Sequence, residues 1–371
     1  MRDAPTTVSP VEYIRRYHPE FIAIRRDLHA HPELGFEEAR TSEIVATLLE
    51  SWGVQVHRGI ARTGVVGVVQ GKYSSSARSV GLRADMDCLA MQEEGSVAHK
   101  SCVAGRMHGC GHDGHTAMLL GAARYLAETR NFDGTAYLIF QPAEEGGGGA
   151  RVMIEEGLFE RFPMDAVYGL HNWPLLPAGK MGVRAGPITA ATDEIQITVH
   201  GKGGHGAMPH LAVDPVVISA HIITALQTIA SRNVNPVDAI VVSVCSMATS
   251  QIGTFNVIPE AVKMVGTVRS FRAQTRDLAE QRVREIVTSV GQALGARVDI
   301  DYWRGYPATV NTEREAALAA KVGEQVFGKE NVETGGEPTM GGEDFSYMLL
   351  QRPGAYVWLG QGGGPLGPFL H

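Results

Sequence analysis

The sequence has few cysteines, no long apolar run and no excess of basic charge. Its 371 residues include 4 cysteines, none of them in a C-x-x-C pair. A disulfide framework is therefore not expected, and a reducing cytoplasm is the expected compartment. Apolar runs such as 239–242 are far shorter than the about 18 residues of a membrane helix, so no membrane partner is expected. The N-terminal segment MRDAPTTVSP lacks the apolar stretch of a secretory signal.

Acidic residues outnumber basic ones, with 40 Asp and Glu against 33 Lys and Arg and a net charge of -7. This balance argues against nucleic acid as a partner. Hydrophobic residues make up 44% of the chain, which is ample for a core. A chain of 371 residues exceeds what one compact core usually organises, so two domains are expected.

The first half of the chain alternates between helical and strand-like patterns. Apolar residues recur at helical spacing, whereas short continuous apolar runs are typical of buried strands. The predicted helices cover 9–30, 37–52 and 112–126, and the predicted strands cover 64–69, 79–82, 135–140 and 166–170. This alternation predicts an α/β fold with a mainly parallel sheet and helices on both faces.

From about residue 182 the pattern changes to strand, helix, strand, strand, helix, strand. The segments are 193–200, 213–231, 239–247, 261–271, 275–294 and 297–302. This order is the ferredoxin-like βαββαβ arrangement. The apolar run 355–360 is predicted to rejoin the first sheet. We therefore predict a discontinuous first domain, 1–181 and 301–371, with a second domain inserted at 182–300.

Acidic and imidazole side chains lie at or just after the ends of the predicted strands. In open α/β sheets, ligands bind at the carboxyl edge of the strands. The sequence therefore predicts that these side chains gather at one edge, namely Asp85, Asp87, Glu144, Glu145, His171 and His371.

The densest group of metal-ligand types is MHGCGHDGH at 107–115. In a Gly-rich turn, Cys110 and His112 can converge on one cation cluster. Thiolate with imidazole is a zinc-type pairing, and Mn, Co and Ni also remain open. The alternative is a turn with polar decoration and a buried structural cysteine.

The segment QPAEEG at 141–146 places two adjacent carboxylates directly after a buried strand. Their side chains diverge, so one can bind metal while the other acts as a general base toward activated water. The alternative is an acidic loop that caps the following helix.

The inserted segment carries a further histidine, His205, on a Gly-rich loop. Such a histidine can stabilise a developing oxyanion, or it can be an ordinary loop residue. Asn256 and Arg269 can bind an anionic group of a substrate, because arginine pairs bidentately with carboxylate. Arg269 can equally be a surface strand residue.

Together these motifs resemble the N-acyl-amino-acid amidohydrolases, the branch of metallo-aminoacylases and carboxypeptidases that includes hippurate hydrolase and plant auxin-conjugate hydrolases. The matching segments follow one another in order over nearly the whole chain. They are RADMD (83–87), MHGCGHDGH (107–115), QPAEEG (141–146), GLHNWP (169–174), GGHGAMPH (203–210), NVIP (256–259) and GGEDF (341–345).

The resemblance implies a site for two divalent metal ions in a catalytic domain, with an inserted dimerisation or lid domain. The implied metal ligands are Cys110, His112, Glu145, His171 and His371. Glu144 would be the catalytic base, and His205 would reach the active site of a partner subunit in a homodimer or higher homo-oligomer. Asn256 and Arg269 would help to hold the substrate.

The expected reaction is metal-dependent hydrolysis of the amide bond of a small-molecule N-acyl amino acid, which releases a carboxylate and a free amino acid. A dipeptidase or carboxypeptidase of the same fold is one alternative. A non-catalytic relative that binds metal or ligand is another, although binding alone does not require both Glu144 and Glu145.

Overall fold

The computed structural model describes residues 8–73, 75–249 and 253–362. Its α-helices are α1 (Pro10–Ala30), α2 (Ala39–Ser51), α3 (His112–Thr129), α4 (Gly149–Glu155), α5 (Leu158–Arg161), α6 (Pro215–Leu226), α7 (Ala273–Ala293), α8 (Glu313–Phe327) and α9 (Ser346–Gln351).

The first eight described strands are β1 (Gln55–Ile60), β2 (Gly64–Gln70), β3 (Ser79–Asp85), β4 (Thr135–Gln141), β5 (Ala166–Pro177), β6 (Met181–Gly182), β7 (Gly186–Thr189) and β8 (Ala191–His200). The later strands are β9 (Gly204–His205), β10 (Ile240–Thr249), β11 (Val257–Ile258), β12 (Ala261–Ser270), β13 (Arg297–Arg304), β14 (Thr309–Asn311), β15 (Val332–Glu333) and β16 (Gly354–Gly362).

The chain divides into two compact units. Unit 1 comprises Met1–Ile188, Val310–Glu337 and Asp344–His371, and unit 2 comprises Thr189–Thr309 and Pro338–Glu343. The sequence predicts an inserted domain at 182–300, whereas unit 2 begins at Thr189, continues to Thr309 and also includes Pro338–Glu343.

Unit 1 is built on a sheet that has eight strands within the described ranges, in the order β1-β2-β4-β3-β5-β16-β6-β15. The central strands β4, β3, β5 and β16 are parallel to one another. β1 and β2 run antiparallel at one side. The predicted α/β fold with a mainly parallel central sheet is confirmed, and the apolar run in β16 does rejoin the first sheet.

Helices cover both faces of this sheet because its strands are apolar on both sides. In β4, Leu138 and Phe140 pack into a core with α1, α2 and α3. Tyr137 and Ile139, which alternate with them, pack on the opposite face with residues of α4, α5 and α9. A strand buried on both faces leaves its carboxyl end as the place where polar side chains can emerge.

Unit 2 follows the element order β8, α6, β10, β12, α7, β13, apart from short elements. Its main sheet has the strand order β10-β12-β8-β13, with every neighbouring pair antiparallel. Ile195, Ile197 and Val199 of β8 pack with residues of α6 and α7 in one apolar core.

Of the helices that the structure describes, none combines the length and apolar character needed to cross a bilayer.

Candidate active site

Three polar side chains from two separate segments of unit 1 lie close together near the carboxyl edge of the parallel strands. Cys110 and His112 come from the turn that begins α3, and His171 comes from β5. One ligand atom from each of these three residues lies within 4.8 Å of the other two. We call these three residues, Cys110, His112 and His171, the cluster.

The turn that carries Cys110 and His112 depends on the glycine between them. Gly111 has φ +95°, a left-handed conformation that favours glycine. A Cβ atom at this position would lie 2.4 Å from Oδ1 of Asn172. Glycine therefore allows the backbone to approach β5 closely while Cys110 and His112 face the same cluster.

The two histidines of the cluster are oriented in the same way. Nδ1 of His112 lies 3.3 Å from Oδ1 of Asp87, and Nδ1 of His171 lies 2.7 Å from the carbonyl oxygen of Asn172. Each Nδ1 therefore has an oxygen as its hydrogen-bond partner, which favours the tautomer in which Nε2 carries no proton. This is the arrangement of metal-binding histidines, whose second nitrogen usually donates to a carboxylate or carbonyl.

Two carboxylates reach the same cluster from the loop after β4. Glu144 and Glu145 each place an oxygen within 4.8 Å of a ring nitrogen of His112 and of one another. Glu144 is buried, and Glu145 is partly buried. The loop thus supplies the acidic half of the site, as its place after a buried strand predicts.

Buried carboxylates fix the backbone of this loop. Ala143, which has φ +53°, donates its N–H to Oε1 of Glu38 at 2.8 Å. Glu145 donates its N–H to Oδ2 of Asp87 at 2.9 Å. Strained conformations of this kind persist only where the surroundings hold them, and they concentrate at functional sites. The loop is therefore held in one conformation on both sides of Glu144.

Burial is the largest influence on the pKa values of Cys110 and His171. It raises the pKa of the Cys110 thiol to about 12. Burial, together with the neighbouring imidazole of His115, lowers the pKa of His171 well below its ordinary value. Burial also raises the pKa of Glu145. A divalent cation among these groups would reverse the trend for the thiol and the carboxylate, because metal binding stabilises the deprotonated ligand.

His112 behaves differently because it faces carboxylates. Burial acts to lower its pKa, but the charge of Asp85 and the hydrogen bond with Asp87 outweigh burial, so the pKa of His112 is raised well above its ordinary value. Burial acts to raise the pKa of Asp85, but the Arg83 guanidinium and the imidazoles of His112 and His115 together outweigh burial and hold the pKa of Asp85 well below its ordinary value. The site is therefore rich in negative charge that a cation would balance.

Two atoms of the site fit a bound metal ion. Nε2 of His112 and Oε1 of Glu145 are buried and have no hydrogen-bond partner within the part of the chain that the structure describes. They lie 3.9 Å apart. Leaving such atoms unpaired is costly, and a cation between them satisfies both. The donor set of thiolate, imidazole and carboxylate suits zinc and neighbouring divalent metals.

Of the other predicted site residues, two come together within unit 2. His205 is exposed on β9, and Nδ2 of Asn256 lies 3.4 Å from its Nε2. The backbone of Ala207 donates to Nδ1 of His205 at 3.1 Å. Arg269 lies on β12, where its Nε donates to Oγ1 of Thr267 at 3.0 Å. Burial lowers the pKa of this guanidinium. The predicted ligand His371 lies outside the described residues.

Several buried polar residues around the site carry no clear signal in the sequence. Glu38 lies at the start of a helix, and nothing local marks it as a partner of Ala143. His115 bridges Oδ1 of Asp85 and Oδ1 of Asn172, each at 2.6 Å. Asp344, in the GGEDF segment, contacts Arg83 over a separation that only the folded chain reveals. For Asp344 the available signal was the motif itself.

Named relatives cover most of the chain. Hippurate hydrolase of Campylobacter jejuni subsp. jejuni is 42% identical over 340 residues, which is 92% of this chain and 88% of the relative. Thermostable carboxypeptidase 1 of Saccharolobus solfataricus is 41% identical, covering 94% and 87% of the two chains. IAA-amino acid hydrolase ILR1-like 4 of Arabidopsis thaliana is 40% identical, covering 91% and 76%. The resemblance that the motifs indicate is confirmed.

A solved structure supports the same relationship. The YXEP protein of Bacillus subtilis, described as a dinuclear metal binding peptidase from the M20 family, superimposes with a TM-score of 0.80 at 31% identity. The match covers 96% of this chain and 92% of that one. Residues 81–368 also match the family profile described as peptidase family M20/M25/M40. With most of its length matched by sequence and by structure, the chain belongs to peptidase family M20/M25/M40.

Proposed function

We propose that this protein hydrolyses the amide bond of N-acyl amino acids with the help of divalent metal ions, releasing a carboxylate and a free amino acid. One observation carries the proposal. The carboxyl edge of the sheet gathers a thiol, imidazoles and two carboxylates, and Nε2 of His112 and Oε1 of Glu145 are left without hydrogen-bond partners among the described residues. The relatives named hippurate hydrolase and IAA-amino acid hydrolase support this substrate class.

We propose that two divalent ions, drawn from Zn, Mn, Co and Ni, bind at this cluster. Their ligands would be Cys110, His112, Glu145 and His171, with His371 as a further ligand. The name of the YXEP protein, a dinuclear metal binding peptidase, supports the number of ions. When bound, such ions polarise the amide carbonyl and make water more acidic.

Glu144 is the proposed catalytic base. Its carboxylate is buried beside the cluster, and Oε1 accepts the backbone N–H of Asp344 at 3.3 Å. Glu144 takes a proton from the attacking water and gives it to the amide nitrogen as the carbon–nitrogen bond breaks. One carboxylate can serve both steps because it is protonated in the first and deprotonated in the second.

Unit 2 is proposed to be a ferredoxin-like domain that serves as a lid and dimerisation module in a homodimer. Its order of strands and helices supports the ferredoxin-like assignment. In the homodimer, His205 donates a hydrogen bond to the oxyanion of the tetrahedral intermediate in the active site of the partner subunit. Asn256 and Arg269 hold the carboxylate of the amino acid, for which the arginine fork is suited.

In this proposal unit 1 is the catalytic domain, for which the sequence predicts 1–181 and 301–371, and unit 2 is the inserted domain, for which the sequence predicts 182–300. The substrate is a small molecule. A cytoplasmic location is proposed as well, because all four cysteines, Cys88, Cys102, Cys110 and Cys245, are free thiols.

A second candidate is a carboxypeptidase or dipeptidase that uses the same groups. The relative named thermostable carboxypeptidase 1, at 41% identity, favours it. Both reactions break an amide bond, so the distinction lies in the acyl half of the substrate. A non-catalytic metal-binding relative is a third alternative, and it would have no use for a base at Glu144.

The test of the proposed chemistry is Glu144→Gln in the full chain. We expect kcat on an N-acyl amino acid to fall by about 10²-fold to 10⁴-fold, which is the usual contribution of a positioned general base. Metal content, measured by elemental analysis, should stay at the wild-type level. Glu156→Gln is the matched control, because Glu156 is also a carboxylate that accepts a backbone N–H, that of Ala61 at 2.7 Å. Wild-type turnover by Glu144→Gln would remove the assignment.

A further inference from the structure

The GGEDF segment contains a buried carboxylate that the proposed chemistry does not use. Asp344 has 0% of its surface exposed. Its Oδ1 accepts from Nη2 of Arg83 at 3.0 Å and from Nε2 of Gln141 at 2.8 Å. Its Oδ2 accepts from Nε2 of Gln141 at 2.9 Å and from the backbone N–H of Ala150 at 2.9 Å. Both oxygens of this carboxylate are therefore fully engaged by donors.

The partners of Asp344 are themselves fixed. Arg83 is also fully buried and donates from Nη1 to Asp85 at 2.7 Å. It donates from Nε to Oε1 of Gln141 at 2.8 Å. The guanidinium of Arg83 thus binds two buried carboxylates, those of Asp85 and Asp344, and each contacts a different part of the site. Asp85 contacts the imidazoles of His112 and His115, whereas Asp344 contacts the start of α4, which follows the loop after β4.

Asp344 contacts both that loop and the helix that follows it. Its carboxylate accepts the N–H of Ala150, in the first turn of α4 just after the loop, and its own N–H donates to Oε1 of Glu144 at 3.3 Å. Gly149, which precedes Ala150, must be a glycine, because a Cβ there would lie 1.7 Å from the carbonyl oxygen of Pro142. The loop closes tightly on itself, so anchoring Ala150 also anchors the segment that carries Glu144.

We propose that Asp344 is a positioning residue that aims the carboxylate of Glu144, with Arg83 and Gln141 holding Asp344 in place. The inference rests on the proposed role of Glu144. The carboxylate of Asp344 fixes where its own backbone N–H lies, and that N–H holds Oε1 of Glu144 and so sets the direction of the Glu144 carboxylate. An anion is required at Asp344, because an amide would turn an NH₂ group toward the donors of Arg83, Gln141 or Ala150.

The test is a double-mutant cycle with Asp344→Asn and Glu144→Gln. We expect Asp344→Asn to lower kcat on the order of 10²-fold with little change in KM or metal content, since small misplacements of a reacting group cost about this much. In the Glu144→Gln background the same substitution should have no further effect on kcat, because the group it positions is already lost. Equal losses of kcat in both backgrounds would overturn the proposal.

Two further measurements keep the test decisive. If Asp344→Asn does not fold, Asp344→Glu replaces it in the cycle, since it retains the charge but lengthens the side chain by one methylene. Crystal structures of wild type and of the folded variant then give the distance from Oε1 of Glu144 to the backbone nitrogen of residue 344. We expect the 3.3 Å contact to be lost in the variant. An unchanged contact would contradict the proposal.

The structural measurement also separates this inference from the proposed function. If wild type hydrolyses none of the amides offered, or if Glu144→Gln retains full activity, the proposed function fails. The position of Glu144 in the Asp344 variant still decides whether Asp344 positions it. Glu156→Gln again serves as the control for loss of a carboxylate that holds a backbone N–H, and it should change neither kcat nor the position of Glu144.

Discussion

Oδ1 of Asp87 lies 3.3 Å from Nδ1 of His112. The other oxygen of the same carboxylate accepts the backbone N–H of Glu145 at 2.9 Å. Asp87 is completely buried and lies just beyond the end of β3. One carboxylate therefore orients an imidazole from the α3 turn and the loop after β4, which are the two segments that supply most of the proposed metal ligands.

Asp87→Asn should weaken metal binding by about 10-fold to 100-fold, which is the usual cost of losing the partner of a metal-binding histidine. The amide keeps the size of the side chain but removes the charge that orients His112. Competition with a chelator of known affinity measures the change. Asp165→Asn is the control, because Asp165 also accepts a backbone N–H, that of Ser79 at 2.8 Å. Equal metal affinity in Asp87→Asn and wild type would contradict the role of Asp87.

Cys110→Ser should reduce both metal content and kcat, because a serine hydroxyl does not ionise to replace a thiolate ligand. Elemental analysis after dialysis gives the metal content. Cys102→Ser is the matched control, since Cys102 is exposed and its thiol donates to the carbonyl oxygen of Ala30, which a hydroxyl can also do. If Cys110→Ser and Cys102→Ser retained the same metal content, Cys110 would not be a ligand.

His205→Ala should lower kcat by about 10²-fold to 10³-fold, the usual cost of removing one donor to an oxyanion. Metal content should not change, because His205 is not among the proposed ligands. His210→Ala, from the same GGHGAMPH segment, is the control, since His210 is also exposed. An equal loss of kcat in both variants would indicate disturbance of the loop rather than stabilisation of an oxyanion.

His29 should make stability depend on pH. Its hydrogen bond to Asp113, 2.9 Å from Nδ1, raises the pKa of His29 against the opposing effect of burial. A histidine whose pKa is higher in the folded state stabilises the protein fully below its unfolded pKa of about 6.5. The stabilisation is lost as the pH rises through the folded pKa.

The free energy of unfolding should therefore fall in wild type as the pH rises above about 6.5, and this part of the fall should be absent from His29→Gln. Urea unfolding at a series of pH values measures it. His18→Gln, at an exposed position of the same helix, should retain the wild-type dependence. A His29→Gln profile parallel to that of wild type would show that His29 does not contribute.

Much of the framework could be predicted from the sequence, because its signals are local. The buried run in β4 and the helical spacing in α1 identify their elements directly. The convergence of Cys110 and His112 is predicted by their Gly-rich turn. The place of Glu144 and Glu145 beside His112 also follows, because parallel strands bring their carboxyl ends to one edge. His171 is different in detail, since it lies inside β5, which continues to Pro177 instead of ending near residue 170.

The groups that orient the site could not be predicted in the same way. Glu38 meets Ala143, and Asp344 meets Arg83, only because distant segments pack against each other in the folded chain. Nothing in their neighbouring residues indicates those partners. Strand β1 was also not predicted, because its residues are largely exposed and carry no buried apolar run.

The most direct measurement is a hydrolysis screen of the metal-loaded enzyme against hippurate, N-acetyl-methionine, an indole-acetyl amino acid and a plain dipeptide, with chelated enzyme as the control. We predict release of the free amino acid from at least one N-acyl amino acid, its loss on chelation, and its recovery when divalent metal is returned. Release from the dipeptide alone, or no release while metal remains bound, would contradict hydrolysis of N-acyl amino acids as the function of this protein.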